Sequence, residues 1–259
     1  MTGDAGDAMT AEFGTVAEWT ARVAADLGPE YYIPAACRGS GHPLALDWLL
    51  AGLAPRPGAV LLDAGAGVGG PAAYAQERAG VRPVLAEPER GACRAAARLF
   101  PAAPVVQADA TALPCGDASV DLAWCLGVLC TASGPDAQRA MLRELRRIVR
   151  PAGRIGLLVY VALTAHLDDP PAGNHFPSRS ELSALLDAAR MQVVRTANAA
   201  GMPPPPPAWR DRSAAVEREL RRRFGHTPSL AAASEQSDRI AHLLGSGQLT
   251  SQVLILRRG

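Results

Sequence analysis

A buried strand that leads straight into a glycine-rich turn is the feature that most restricts the fold of this chain. The segment reads Val60-Leu61-Leu62-Asp63-Ala64-Gly65-Ala66-Gly67-Val68-Gly69-Gly70, and a helical pattern follows it. Glycine allows a tight turn and lets a ligand approach the main chain closely. Gly65, Gly67 and Gly70 fit the G-x-G-x-x-G spacing of dinucleotide sites. The spacing alone therefore leaves a nicotinamide- or flavin-binding fold open.

Short apolar runs alternate with helical stretches from Gly58 onward, which is typical of a parallel sheet wrapped by helices. The predicted strands are 59–62, 83–86, 105–106, 120–124, 155–161, 191–196 and 252–256. The predicted helices are 69–78, 89–100, 136–149, 178–190, 210–224 and 230–244. Ser178 with Glu181 three residues later predicts a capping box at the start of one helix. The fold class is therefore α/β, a Rossmann-like and mostly parallel sheet with helices on both faces.

The rest of the chain predicts additions to that core. Residues 1–11 are small and polar, and we expect a disordered tail there. Residues 12–57 predict an N-terminal helical cap, and residues 58–259 the main domain, with a helical insertion at about 202–247 before the last strand. Tyr31 and Tyr32, adjacent in a chain with 5% aromatic residues, suggest that the cap is a lid, with Tyr32 and Arg38 as its candidate contacts. Surface packing of these residues is the alternative.

Asp63, at the end of the first strand, separates two classes of ligand. A buried carboxylate is unfavourable unless a partner compensates it. A dinucleotide site normally has an apolar residue at this point, because the ligand brings negative phosphates. Asp63 therefore favours a cationic ligand such as S-adenosylmethionine. The alternative is that Asp63 caps the amides of the glycine turn.

Two further acids follow the next two strands. Glu87 comes 17 residues after Gly70, about the spacing of an acid that binds ribose hydroxyls; the alternative is an acid at a helix start. Asp109 can accept a hydrogen bond from an adenine amino group; the alternative is an Asx turn. Because ligands of open parallel sheets lie beyond the carboxyl ends of the strands, we expect these acids at one edge.

Composition excludes several function classes. The 26 basic residues are all arginine, and the absence of lysine excludes a pyridoxal Schiff base and a Walker lysine. The formal net charge of +1 excludes a basic field for nucleic acid. Five cysteines without a Cys-x-x-Cys pair predict free thiols in a reducing cytoplasm, with no structural metal. The N-terminus has no signal-peptide pattern and the longest apolar run is too short to span a membrane.

Taken together, these motifs resemble class I S-adenosylmethionine-dependent methyltransferases, most closely the small-molecule branch that includes the ubiquinone/menaquinone methyltransferases. The resemblance is close over about residues 59–161. It rests on the glycine turn and on the following motifs: Glu87, Ala108-Asp109-Ala110, Ser119-Val120-Asp121-Leu122-Ala123-Trp124, and Leu145-Arg146-Arg147-Ile148-Val149-Arg150-Pro151-Ala152-Gly153-Arg154.

The resemblance implies a seven-stranded sheet with an antiparallel last strand and S-adenosylmethionine as cofactor. It also implies roles for individual residues. Gly65 and Gly67 would line the methionine moiety, alongside Asp63 as the partner of its ammonium group. Glu87 would hold the ribose. Asp109 and Ala110 would contact the adenine, and Cys125 would face the methionine side and the substrate.

The residue that would act as general base is not identified by any motif. His166 and His175 follow the predicted fifth strand, and His42 lies in the N-terminal segment, so these three are the candidates. A metal site made of His166, Asp168 and His175 fits no usual spacing.

The predicted function is methyl transfer to a small molecule, a natural-product or quinone-like metabolite, by in-line displacement. The alternatives are a non-catalytic S-adenosylmethionine-binding protein and an NAD(P)-binding oxidoreductase. We expect a cytoplasmic protein, a possible homodimer, without nucleic-acid or membrane partners.

Overall fold

The computed structural model describes residues 3–37 and 42–259, with side chains from Phe13 onward within those ranges. Its centre is a seven-stranded sheet with the strand order β3-β2-β1-β4-β5-β7-β6. The strands are β1 Val60–Ala64, β2 Arg82–Glu87, β3 Val105–Gln107, β4 Val120–Leu126, β5 Val149–Ala162, β6 Met191–Asn198 and β7 Leu249–Arg258. The pairs from β3 across to β5 are parallel, and β7 runs antiparallel to both β5 and β6. The predicted fold class, including the antiparallel last strand, is confirmed.

The helices of the described residues are α1 Gly3–Leu27, α2 Tyr32–Ala36, α3 Pro43–Leu53, α4 Gly70–Ala79, α5 Arg90–Leu99, α6 Pro135–Ile148, α7 Arg179–Ala188, α8 Pro207–Phe224 and α9 Pro228–Gly245. At the start of α7, Ser178 Oγ accepts from the Glu181 amide, and the Glu181 carboxylate accepts from the Ser178 amide. The predicted capping box is therefore present.

Two apolar cores cover the two faces of the sheet. One face carries Leu62 and Cys125 and packs against α6 and α7. The other carries Leu61 and Trp124 and packs against α3 and α4. Because side chains alternate along a strand, neighbouring residues such as Trp124 and Cys125 enter opposite cores. Burial on both faces explains why the strands read as continuous apolar runs.

Four helices, α1, α2, α8 and α9, form a layer that we call the outer helical layer. Val16 of α1 and Val216 of α8 share one buried cluster, and the rings of Trp19 and Phe224 stack with their centroids 4.4 Å apart. The segment predicted as an insertion at 202–247 thus packs on the N-terminal helix.

The N-terminus differs from the sequence-based expectation. The sequence predicted a disordered tail over residues 1–11 and a helix only from Glu12, whereas α1 already begins at Gly3. The composition accounts for the difference, since residues 4–12 contain alanine, methionine and glutamate, which favour helices. Across the described ranges, no helix combines the length and apolarity needed to cross a bilayer.

Candidate functional site

The glycine turn after β1 is held against the end of β2. The amides of Gly65 and Ala66 both donate to the Ala86 carbonyl, at 2.8 and 3.1 Å. Gly65 has a φ of +73°, and a Cβ placed on it would stand 2.5 Å from a methyl carbon of Val128, in the loop after β4. Glycine is therefore required at this position both by backbone conformation and by the close approach of that loop.

Glu87 ties this turn to the loop after β2. Its carboxylate is buried, with Oε2 accepting from the Gly67 amide at 2.8 Å and Oε1 accepting from the Glu89 amide at 2.9 Å. Burial raises the pKa of Glu87, and these two amides oppose the rise. A carboxylate has about four acceptor positions, so two amide bonds leave capacity for hydroxyl donors from a ligand.

Asp63 is the least compensated acid of the site. It is 2% exposed, and its Oδ2 finds no hydrogen-bond partner among the described residues. Burial raises the pKa of Asp63 to about 7; the nearby indole of Trp124 moderates the rise and the charge of Glu87 adds to it. Trp124 pairs with Asp63 across β1 and β4, but its Nε1 is also without a partner in the described structure, so the indole acts as a nearby dipole.

A buried carboxylate with an unfilled oxygen has the chemistry of a site for a cationic ligand. Buried polar groups in native proteins are almost always hydrogen-bonded, and a buried charge is unfavourable unless it is paired. An ammonium group next to Asp63 would meet both requirements. The donor set around the glycine turn therefore fits a ligand that carries an ammonium group and a ribose.

The end of α2 closes this region from the N-terminal side. A Cβ on Gly70 would stand 2.5 Å from the main-chain carbon of Ala36, so α2 packs directly on the first turn of α4. Burial, and then the charge of Asp63, raise the pKa of the Cys37 thiol. Cys37 is therefore a neighbour of Asp63 that the sequence did not indicate, since a lone cysteine in a loop carries no motif.

Tyr32, one of the two lid candidates, packs on the end of α5. The Tyr32 ring packs edge-on against Phe100 at the end of α5, with the ring centroids 6.4 Å apart. This is the packing role that was the alternative for the tyrosine pair. Arg38 lies outside the described residues.

Asp109 forms an Asx turn after β3. Its Oδ1 accepts from the amide and the hydroxyl of Thr111, at 2.7 and 2.6 Å, and its side chain is exposed while Ala110 is buried. Its charge contributes to the raised pKa of Glu87, so the three acids meet at one edge of the sheet. The adenine contact of Asp109 and Ala110 stays a prediction.

Cys125 lies on the opposite face of the sheet from Asp63. Its side chain is 1% exposed within the core beneath α6, and burial, followed by the charge of Asp63, raises the pKa of its thiol to about 12. The thiol is therefore an inert core group. A cofactor contact at this position would have to come from the main chain.

The three candidate histidines are not gathered into one cluster. His166 is exposed in the loop after β5, where its carbonyl accepts from the Thr164 hydroxyl. His42 precedes α3; its Nδ1 is buried without a partner among the described residues, and burial lowers its pKa. The described residues contain no group of three or more histidine, cysteine or acidic side chains suited to a metal ion.

The main chain of His175 is held by two hydrogen bonds. Its amide donates to the Cys130 carbonyl at 2.7 Å, and its own carbonyl accepts from the Gln138 side-chain amide at 2.8 Å. His175 lines a cavity of about 130 Å³ beside α6 and α7, and its Nε2 is buried without a partner within the described ranges. The general-base role stays a prediction for all three histidines.

Comparison with known proteins identifies what part of this architecture is similar to. Residues 62–157 match the family model described as "Methyltransferase domain". This part of the chain is therefore similar to a methyltransferase domain. The match runs from β1 into β5, and so includes Asp63, Glu87 and the loop after β4.

Relatives of the methyltransferase domain extend the comparison. The malonyl-[acyl-carrier protein] O-methyltransferase of Enterobacter lignolyticus (strain SCF1) is 33% identical over 156 residues, which are 56% of this chain and 59% of that protein. The chain therefore matches less than two thirds of that relative's length.

Two solved structures share the fold over most of the chain. The cyclopropane synthase MmaA2 from Mycobacterium tuberculosis superposes with a TM-score of 0.67 at 16% identity, covering 83% of each chain. The geranyl diphosphate C-methyltransferase from Streptomyces coelicolor A3(2), in complex with S-adenosyl-L-homocysteine, has a TM-score of 0.60 at 14% identity, covering 83% of this chain and 76% of that one. At these identities the likeness concerns the fold.

Proposed function

We propose that this protein transfers the methyl group of S-adenosylmethionine to a small-molecule acceptor by in-line displacement. The observation that carries the proposal is the buried Asp63 with an unfilled oxygen, set beside the glycine turn of a methyltransferase domain. The complex of the related fold with S-adenosylhomocysteine supports the cofactor.

Different residues at this edge of the sheet bind different parts of the cofactor. Asp63 pairs with the ammonium group of the methionine moiety, and Gly65 and Gly67 allow that moiety to approach the main chain. Glu87, oriented by two amides, accepts hydrogen bonds from the ribose hydroxyls. When bound, S-adenosylmethionine supplies an electrophilic methyl group on a sulfonium.

The contribution of the protein to the reaction is mainly alignment. Holding two reactants in the right geometry supplies about 7–11 kcal/mol towards the barrier. An acceptor hydroxyl, ammonium or acidic carbon also needs a base, and our candidate is His175, which lines a cavity and has an unpartnered Nε2 among the described residues. Its proton acceptor would be Nε2, which faces no partner in the described structure.

The acceptor class follows from charge and composition. A formal net charge of +1 gives no field for nucleic acid. We therefore propose a small natural-product or quinone-like metabolite. A cytoplasmic location stays a prediction, supported by the five free cysteines. A homodimer also stays a prediction.

Calorimetric titration with S-adenosylhomocysteine, with NADH as the control ligand, tests the cofactor. Micromolar binding of S-adenosylhomocysteine alone is the expected result, whereas binding of NADH alone would favour the oxidoreductase alternative. Asp63→Asn should weaken the binding strongly. Asp187→Asn, which changes an exposed carboxylate in the last turn of α7, is the matched control and should bind like the wild type.

Turnover tests the catalytic part of the proposal. A panel of hydroxyl, amine, thiol and carbon acceptors, with a malonyl thioester as one member because of the relative's name, would be incubated with S-adenosylmethionine. Methylation of any small acceptor supports an enzyme. Tight cofactor binding without methylation across the panel would favour the non-catalytic alternative.

A further inference from the structure

An exposed aromatic ring stands beside the glycine turn. Phe13 of α1 is 48% exposed, and its Cζ lies 3.7 Å from where a Cβ on Gly67 would stand. Gly67 is the residue whose amide binds Glu87. The ring therefore borders the part of the turn that contacts the proposed ribose acid.

A contact between two glycines fixes α1 in this position. A Cβ on Gly91, in the first turn of α5, would stand 2.4 Å from the carbonyl oxygen of Gly14. Only a residue without a side chain allows the two backbones to come this close. One turn further along α1, Glu18 accepts from Arg94 Nε at 2.8 Å. Phe13 thus belongs to a helix that is anchored on α5. Helix α5 itself begins directly after the loop that follows Glu87.

We propose that Phe13 packs its ring against the adenosyl part of the cofactor and forms the outer wall of the nucleoside site. This inference rests on the proposed function. The exposed ring offers apolar area that a bound nucleoside covers, and aromatic rings stack on the faces of bases. Phe13 adjoins Gly67, whose amide binds the proposed ribose acid Glu87, and this link places the contact at the nucleoside end, whereas the ammonium site is at Asp63.

The test compares two ligands that share the nucleoside and differ in the amino-acid end. S-adenosylhomocysteine and 5′-methylthioadenosine are titrated into the wild type, Phe13→Ala and Phe13→Leu. Phe13→Ala should weaken both ligands by the same factor, about five- to tenfold, and Phe13→Leu should recover part of the loss. Val193→Ala removes a comparably exposed apolar side chain, 49% exposed on the edge strand β6, and should change neither affinity.

The outcomes separate this inference from the proposed function. If the wild type binds S-adenosylhomocysteine and Phe13→Ala binds it equally well or more tightly, the ring is no wall of the site and the inference is wrong, while the proposed function stands. A loss confined to S-adenosylhomocysteine would place Phe13 at the amino-acid end and would also overturn it. If the wild type binds neither ligand, the proposed function itself fails.

Discussion

Replacing Asp63 by asparagine should stabilise the ligand-free protein while weakening its binding of S-adenosylhomocysteine. The carboxylate is buried, its Oδ2 is unpartnered among the described residues, and its pKa is raised from 3.8 to about 7, mainly by burial. Asparagine has nearly the same shape and cannot ionise. The substitution therefore removes the unfavourable buried charge and also the proposed partner of the ammonium group.

The magnitude follows from the pKa. A carboxyl group whose pKa is raised on folding favours the folded state while it is protonated. That stability is fully present below pH 3.8 and is lost as the pH rises through about 7. At 1.36 kcal/mol per pH unit, the loss amounts to about 4 kcal/mol at pH 8 and about 2 kcal/mol at pH 5. The variant should exceed the wild type in the free energy of unfolding by these amounts.

Urea unfolding of both proteins at pH 5 and pH 8 checks the prediction, since taking their difference at each pH cancels the other titrating groups. Calorimetry at pH 6 and pH 8 should show the wild type binding S-adenosylhomocysteine about tenfold more weakly at pH 6, as Asp63 takes up a proton. The variant should bind weakly at each pH. A variant that is less stable than the wild type at pH 8, or that keeps wild-type affinity, would refute the argument that Asp63 is an uncompensated buried charge awaiting a cation.

Three further substitutions have distinct expected outcomes. Glu87→Ala should weaken the binding of S-adenosylhomocysteine by about 1.5–3 kcal/mol in calorimetry, the range for hydrogen bonds to a charged group. An unchanged affinity would mean that Glu87 only connects the glycine turn with the loop after β2. Ser178→Ala removes the capping box of α7 and should lower the free energy of unfolding by about 1 kcal/mol without changing ligand affinity, which urea unfolding and calorimetry would check. Gly65→Ala should lower both thermal stability and affinity, because of its φ of +73° and its contact with Val128; adding Val128→Ala should restore part of the stability, and no recovery would mean that the clash is not the cause.

The sequence predicted the sheet well because its signals are local. Strand and helix alternation, the glycine turn and the capping box at Ser178 each depend on a few neighbouring residues. The number of strands and the antiparallel direction of the last strand followed from a family resemblance. The length of β5 was not predicted. The strand already pairs from Val149, well before the apolar run at 155–161 on which the prediction rested.

The missing parts of the site depend on contacts between distant segments. The placement of Cys37 beside Asp63 and of Phe13 beside Gly67 is set by how helices of the N-terminal segment pack on α4 and α5. No local pattern carries that information, because a single cysteine after a helix or a single phenylalanine on one carries no motif. Likewise, the core that the Cys125 thiol enters follows from which face of β4 it occupies, and an apolar run buried on both faces does not indicate that face.

The stacking of Trp19 on Phe224 has a consequence for the order in which the protein is assembled. The helix that carries Trp19 is synthesised early, whereas its partner ring and β7, which fills the gap between β5 and β6, come near the end of the chain. Until then, one side of α1 and one edge of β5 have nothing to pack against. The complete packing of α1, β5 and β6 therefore depends on contacts of long sequence separation, which slow folding.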